Sequence, residues 1–194
     1  MNIYLKNPKL IVILGYPLEH TFSPLIHNFA FQYLNLDYVY TAFPVEPLLM
    51  QELGKDYLKI LPVAGGSVTI PFKEIIFNYI EKFSPEASKI GAINTFYKKD
   101  GFIYGDNTDM YGFIASVEEF KESFKNRKVL LLGTGGASKA VSTAFKYLLS
   151  SVTVSSDKCD KPNRFISSVL ASPLESFFLK ISMASVEISL MPSG

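Results

Sequence analysis

The chain has 194 residues, 48% of them hydrophobic and 19% charged, and a net charge of +1. A charge so balanced gives no reason to expect a nucleic acid or a membrane surface as partner, and no apolar run approaches the ~20 residues of a membrane span. The single cysteine, Cys159, excludes an internal disulfide framework; with no signal-peptide pattern at the N-terminus, the expectation is a reducing cytoplasm.

Taken in chain order, the apolar run Leu10–Leu14 ends in Gly15 and predicts a buried strand. Ser23 and Pro24 predict a helix start, with serine as cap and proline at the first helical position. A second strand follows at Tyr38–Phe43, rich in aromatic and β-branched residues. A helix is expected from Glu46 to about Leu58, a third strand over Val63–Ile70, and another helix from Pro71 towards Ile80. Asn94–Tyr97 and Phe102–Tyr104 flank Lys98, Lys99, Asp100 and Gly101, a hairpin signal. This alternation predicts an α/β fold with a mostly parallel sheet under helices. From Asp109, the positions Phe113, Val117 and Phe120 recur at helical spacing and predict a connecting helix over 109–126. A second α/β domain follows: a strand at Lys128–Leu132, a glycine-rich turn, a helix from about Ala137 to Leu149, and strands at Val152–Val154 and Val186–Leu190. The domains expected are therefore 1–108 and 127–194. The second offers one mononucleotide-binding half where a complete dinucleotide fold has two.

Four polar clusters carry the chemistry. In the turn between strand and helix, Gly133 permits the tight bend and Gly135 lets backbone approach a pyrophosphate. Gly136, Ala137 and Ser138 let the helix pack closely while its first amides face the phosphates. At the end of the next strand, Ser155, Ser156 and Asp157 occupy the place that selects the cofactor. An acidic residue there favours NAD, whereas Lys158 and the serines are compatible with a 2′-phosphate, so both NAD and NADP stay open. Lys73, just after Pro71, sits unfavourably for a cation if a helix begins there, which points to a local purpose. With Asp109 as counter-charge it is a candidate to exchange a proton with a hydroxyl or carbonyl. Thr21, Ser23, Thr69, Asn94 and Thr108 are candidates to bond the hydroxyls and carboxylate of a sugar-like acid; capping and turn chemistry also accounts for Ser23 and Thr108. His20 and His27 have no cysteine or acidic cluster at ligand spacing, so no metal site is expected.

Together and in this order, over roughly residues 10–140, these motifs resemble the shikimate/quinate dehydrogenase family. The resemblance implies an N-terminal α/β substrate domain and a C-terminal Rossmann domain with the active site in the cleft between them. The implied activity is reversible reduction of 3-dehydroshikimate to shikimate, usually with NADP(H), in aromatic amino-acid biosynthesis. By motif, Lys73 and Asp109 match the catalytic pair, Thr21 and Ser23 the residues that hold the substrate carboxylate, and Thr69 and Asn94 further substrate contacts. Gly133, Gly135, Gly136 and Ala137 match the nucleotide loop. The departures are a serine, Ser67, where the family carries asparagine in its Asn-Val-Thr motif, and Ser155-Ser156-Asp157 where it carries Asn-Arg-Thr. Family members also continue well past residue 194. Two alternatives follow: a remnant that binds substrate without turnover, and a shift of preference to quinate. A monomer or homodimer is expected, with a small molecule as partner.

Overall fold

The computed structural model describes residues 7–124, 128–148, 154–157 and 187–191, and the chain divides into two units, Met1–Asn107 and Thr108–Gly194. The first unit runs β1 (Lys9–Gly15), α1 (Ser23–Tyr33), β2 (Tyr38–Pro44), α2 (Pro47–Ile60) and β3 (Gly65–Val68). A 3-10 turn at Ile76–Tyr79 and a short β4 (Lys82–Phe83) follow. The unit ends with α3 (Pro85–Ile90) and the hairpin β5 (Thr95–Lys99) and β6 (Phe102–Asp106). Six strands form one mixed sheet in the order β2-β1-β3-β5-β6-β4. β1 is parallel to β2 and β3, β5 is antiparallel to β3 and β6, and β4 is parallel to β6. The hairpin turn uses positive φ at Asp100 (52°) and Gly101 (78°), the combination a two-residue connection between twisted strands requires.

Alternation along β1 separates the two faces of the sheet. Val12 and Leu14 enter the main core with Met50, Leu58, Val68, Phe72, Ile76, Ile93, Phe96 and Ile103. Ile13 turns to the other face, where it packs with Tyr40, Leu18 and, from α1, Phe31. The close packing of β3 depends on Gly66, where a Cβ would meet the Val12 carbonyl oxygen and the Phe96 ring.

Two expectations for this unit are corrected. No α-helix begins at Pro71: residues 71–75 form turns, followed by the 3-10 segment. The Lys73 carbonyl, which would accept from residue 77 in a helix, instead accepts the Ile93 amide at 2.7 Å. A tertiary bond has replaced the helical one, and with it goes the argument from a lysine at a helix N-terminus. Ser23 is not the cap of α1 either. The cap position is Phe22, with no side-chain cap, and Pro24 lies in the first turn; the Ser23 amide donates to Thr21 Oγ1 at 3.3 Å.

In the second unit, α4 (Asp109–Val117) passes into a 3-10 segment, Glu118–Phe124. The change of period alters which residues are buried. Phe113 and Val117 are buried as expected, but Phe124, not Phe120, completes the set. Phe113 and Phe124 each meet the ring of Phe145 edge-on, with centroids 5.1 and 5.4 Å away. Phe145 lies on α5 (Gly136–Leu148), which follows β7 (Lys128–Leu132). β8 (Val154–Asp157) pairs parallel with β7 as a βαβ unit requires. β9 (Glu187–Met191) lies on the other side of β7 and runs antiparallel to it. The sequence places a strand here but not its direction, because strand patterning alone carries none.

Candidate active site

The topology of the first unit brings its polar motifs to one end of the sheet. β1 and β3 are parallel, and both end there, with Leu14 opposite Val68. β5, antiparallel to β3, begins there, with Thr95 opposite Ser67. β6 ends there, with Asp106 opposite Thr95. Thr21 and Ser23 follow β1; Ser67 is the penultimate residue of β3 and Thr69 and Lys73 follow that strand; Asn94 precedes β5. This is the carboxyl end of the parallel strands, where open α/β sheets bind their ligands.

Backbone hydrogen bonds lash these segments together. The Thr69 amide donates to the Leu14 carbonyl at 2.9 Å, Tyr16 to Ile70 at 3.0 Å, Val68 to Asn94 at 2.7 Å and Asn94 to Asp106 at 3.1 Å. Thr95 Oγ1 donates to Asn94 Oδ1 at 2.9 Å, which orients that carboxamide. Asn107 is fully buried, and its Nδ2 donates to the Ala92 carbonyl at 2.9 Å. Asp106 Oδ1 accepts the Asn107 amide at 2.7 Å and the Ser84 hydroxyl. Ser84 in turn caps α3 by accepting the Ala87 amide at 3.0 Å. Asn107 and Asp106 therefore hold the loop that presents Asn94 on one side and leads into Thr108 and Asp109 on the other. Thr108 and Asp109 open the second unit.

One residue that sequence reasoning passed over stands beside this cluster. Tyr40 on β2 is 2% exposed, and its phenol has no hydrogen-bond partner among the described residues. Burial pushes its pKa up, against a smaller opposing effect of the Ser67 and Ser23 hydroxyls. Those two hydroxyls therefore lie near the phenol without forming a bond of good geometry. The ring is stacked on His27 at 4.2 Å and 10°. Asn28 secures the Tyr40 backbone twice: Nδ2 donates to its carbonyl and Oδ1 accepts its amide, both at 2.8 Å. The only sequence signal was an aromatic on an alternating strand, which reads equally well as core.

In the second unit the glycine turn lies between β7 and α5. Gly133 has φ 127°, and its carbonyl accepts the Ser138 hydroxyl at 2.5 Å, which closes the turn. Gly135 is exposed, with nothing within 4 Å of where a Cβ would project. Gly136 is buried at the first turn of the helix, and Ala137 follows it. This backbone, bare at Gly135 and set at the start of a 13-residue helix, fits a nucleotide phosphate. Ser155, Ser156 and Asp157 lie on β8, with Asp157 level with Leu132, at the same end of the sheet as the turn. Lys158, Cys159 and the end of the chain from Pro192 lie outside the described residues. No group of three or more histidines, cysteines or acids able to hold a metal occurs among the described residues. No helix among them is long and apolar enough to cross a membrane.

Residues 13–96 match the family described as the shikimate dehydrogenase substrate binding domain. An NADP(+) shikimate dehydrogenase of Caldanaerobacter subterraneus subsp. tengcongensis is 46% identical over 133 residues, covering 69% of this chain and 47% of that protein. The crystal structure of shikimate dehydrogenase from Aquifex aeolicus superposes with a TM-score of 0.69 at 33% identity, over 82% of this chain and 60% of that one. The Thermus thermophilus enzyme, solved in complex with NADP(H) and shikimate, gives 0.64 at 30% identity, over 82% and 59%. The chain spans about half the length of the curated relatives it matches. Its fold is accordingly that of an N-terminal α/β substrate domain followed by part of a Rossmann-like domain, and the chain belongs, through that substrate-binding half, to the shikimate dehydrogenase family.

Proposed function

We propose that this chain acts on shikimate and 3-dehydroshikimate, interconverting them with NADP as the redox partner. The observation that supports the reading is that Ser67 lies at one end of a single sheet, with Thr69 and Asn94 next to the strands that meet there and Thr21, Ser23 and Lys73 on the segments that follow β1 and β3, within a domain matched to a substrate-binding family. Thr21 and Ser23 hold the substrate carboxylate, and Ser67, Thr69, Asn94 and Thr108 bond its ring hydroxyls. In the oxidation direction Lys73 takes the proton of the reacting hydroxyl as the carbon–oxygen single bond becomes a carbonyl. Asp109 supplies the counter-charge to the lysine. The nicotinamide, when bound, supplies the hydride acceptor. Gly133, Gly135, Gly136 and Ala137 hold the pyrophosphate, and Ser155, Ser156 and Asp157 flank the adenosine ribose. The relatives are named for NADP(+). This chain lacks the arginine of the family's Asn-Arg-Thr segment, so its preference for NADP over NAD should be weaker than theirs.

The test is nicotinamide absorbance with shikimate, using NADP⁺ and NAD⁺ separately, on the wild-type chain and on Lys73→Ala. A positioned proton-transfer group contributes about 10²–10⁴-fold, so the variant should lose that much in kcat while shikimate still raises its melting temperature. Full turnover by Lys73→Ala would overturn the assignment of the lysine. No turnover by the folded wild-type chain with either cofactor would overturn the catalytic reading.

A further inference from the structure

Gly15 closes β1 and is buried, and the reason for a glycine there lies across the polar end of the sheet. A Cβ on Gly15 would collide first with Thr69 Cγ2, at a separation that carbon atoms do not adopt. It would also come within 2.9 Å of Leu18 Cδ2 and 3.1 Å of the Ile70 carbonyl oxygen. The leucine methyl is the far end of a flexible side chain, and the carbonyl contact asks for only a small shift. The threonine methyl is therefore the atom that excludes a larger residue. The Thr69 backbone is held where it is. Its amide donates to the Leu14 carbonyl at 2.9 Å, its carbonyl accepts the Phe72 amide at 2.9 Å, and the Tyr16 amide donates to the Ile70 carbonyl at 3.0 Å. Bonds on both sides of Gly15 thus hold residues 69–70 against the end of β1.

With its backbone fixed, the threonine can answer a Cβ at position 15 only by turning about χ1, and its chirality decides what that does. The staggered positions at its Cβ carry the methyl, the hydroxyl and a hydrogen. In the structure the methyl takes the position over Gly15. If that position had to be cleared of heavy atoms, the hydrogen would take it. The rotation that brings the hydrogen there carries the methyl into the place the hydroxyl held. We propose that Gly15 is a positioning residue for the candidate site: its bare α-carbon seats the Thr69 methyl and so fixes the direction in which the Thr69 hydroxyl is presented. The proposal rests on the reading of Thr69 as a contact to the ring hydroxyls of shikimate. Positions 15 and 69 then form a matched pair, in which Gly15→Ala is compensated by Thr69→Ser, a side chain with no methyl to seat.

The test compares the wild-type chain of 194 residues with Gly15→Ala, Thr69→Ser and the double variant. Without ligand, the NMR couplings from Thr69 Cγ2 to its own backbone nitrogen and carbonyl carbon report χ1. They should show a single rotamer in the wild type and a different one in Gly15→Ala. In calorimetric titration with shikimate, Gly15→Ala should raise the dissociation constant at least about fivefold, the effect of losing one hydrogen-bond partner. In the Thr69→Ser background the same Gly15→Ala change should alter it by less than about twofold, as for sites that do not interact. A general loss of stability would not be rescued in this way. If Gly15→Ala does not fold, the double variant should, because the methyl in its way is gone. An unchanged Thr69 rotamer in Gly15→Ala would overturn the proposal. So would a change in affinity below about fivefold, an equal loss in the Thr69→Ser background, or a double variant that folds no better than Gly15→Ala. A folded wild-type chain that binds no shikimate would overturn the proposed function instead, and the couplings would then decide the seating of Thr69 by themselves.

Discussion

Replacing Asn28 by alanine should destabilise the first unit more than the loss of an ordinary half-buried asparagine would. β2 is an edge strand, paired only with β1. In a parallel pair, alternate residues direct both backbone groups away from the partner, and at Tyr40 both groups are met by the Asn28 carboxamide at 2.8 Å. The side chain stands in for a missing neighbouring strand at one residue, and the backbone amide fixes which end of the carboxamide is oxygen. Asn28→Ala removes both bonds. If water replaced them fully, the cost would be about 0.5–1.5 kcal/mol for each; if the groups stayed dry, about 1–3 each. Phe31 and the His27 ring shield this face, so a value near ~3 kcal/mol is expected between those limits. For a chain of this length that corresponds to a fall in Tm of about 6–12 °C. Urea unfolding should show a lower midpoint with an unchanged slope. Asn28→Asp should cost at least as much near neutral pH, because a carboxylate oxygen would then face the Tyr40 carbonyl. A loss below ~0.5 kcal/mol for Asn28→Ala, within the scatter of ordinary surface changes, would refute the argument.

Two further outcomes follow from unusual polar groups. Tyr40→Phe removes a buried hydroxyl that has no partner among the described residues, so it should leave stability unchanged or raise it by about 1 kcal/mol while raising KM for shikimate through the altered surroundings of Ser23 and Ser67; a fall in Tm would count against the reading. Glu81 is held at a pKa of about 2, below its ordinary 4.5, first by its bond to Lys55 and then by the Ile103 amide. Its contribution to stability is therefore complete above about 4.5 and lost as pH falls towards about 2. Glu81→Gln should match the wild type at the acid end and be the less stable of the two near neutrality, as read by chemical denaturation at a series of pH values. A stability gap independent of pH would sink that account.

What could be read in the sequence depended on whether the signal was local. β1, β2 and the hairpin are specified by short apolar runs, a glycine stop and the Asp100-Gly101 turn, and the structure places them within a residue or two of expectation. The helix expected at Pro71 failed because its deciding bond comes from Ile93, 20 residues away. The burial of Phe124 in place of Phe120 turned on a change from α to 3-10 period that the apolar spacing does not announce. The direction of β9 was invisible for the same kind of reason: pairing sense is set by what the strand docks against. The roles of Thr21, Ser23, Thr69 and Asn94 came from motif resemblance, whereas their common location could be argued only once the strand pairings were known. Tyr40 carried no sequence signal because a buried tyrosine and a buried phenylalanine look alike on an alternating strand.

The hydrogen bonds also separate what the first unit needs for binding from what the reaction needs. Several segments at the polar end of the six-stranded sheet are tied to other elements of Met1–Asn107: Thr69 to β1, Val68 to Asn94, Asn94 to β6, and Asn107 to Ala92. These bonds hold the segments in place without a ligand, so under the proposed function little ordering entropy would be spent on binding. Under the proposed function, hydride transfer would require in addition a nucleotide, for which the residues around the Gly133 turn are the proposed holders. Loss of the nucleotide loop and loss of the substrate cluster should thus have distinguishable signatures, the first reducing turnover with shikimate affinity unchanged and the second reducing both. Ser67 gives the sharpest case. Under the proposed function Ser67, which departs from the family's asparagine, would bond the ring hydroxyls. It is therefore the position from which a preference between shikimate and quinate would be governed, independently of any nucleotide contact.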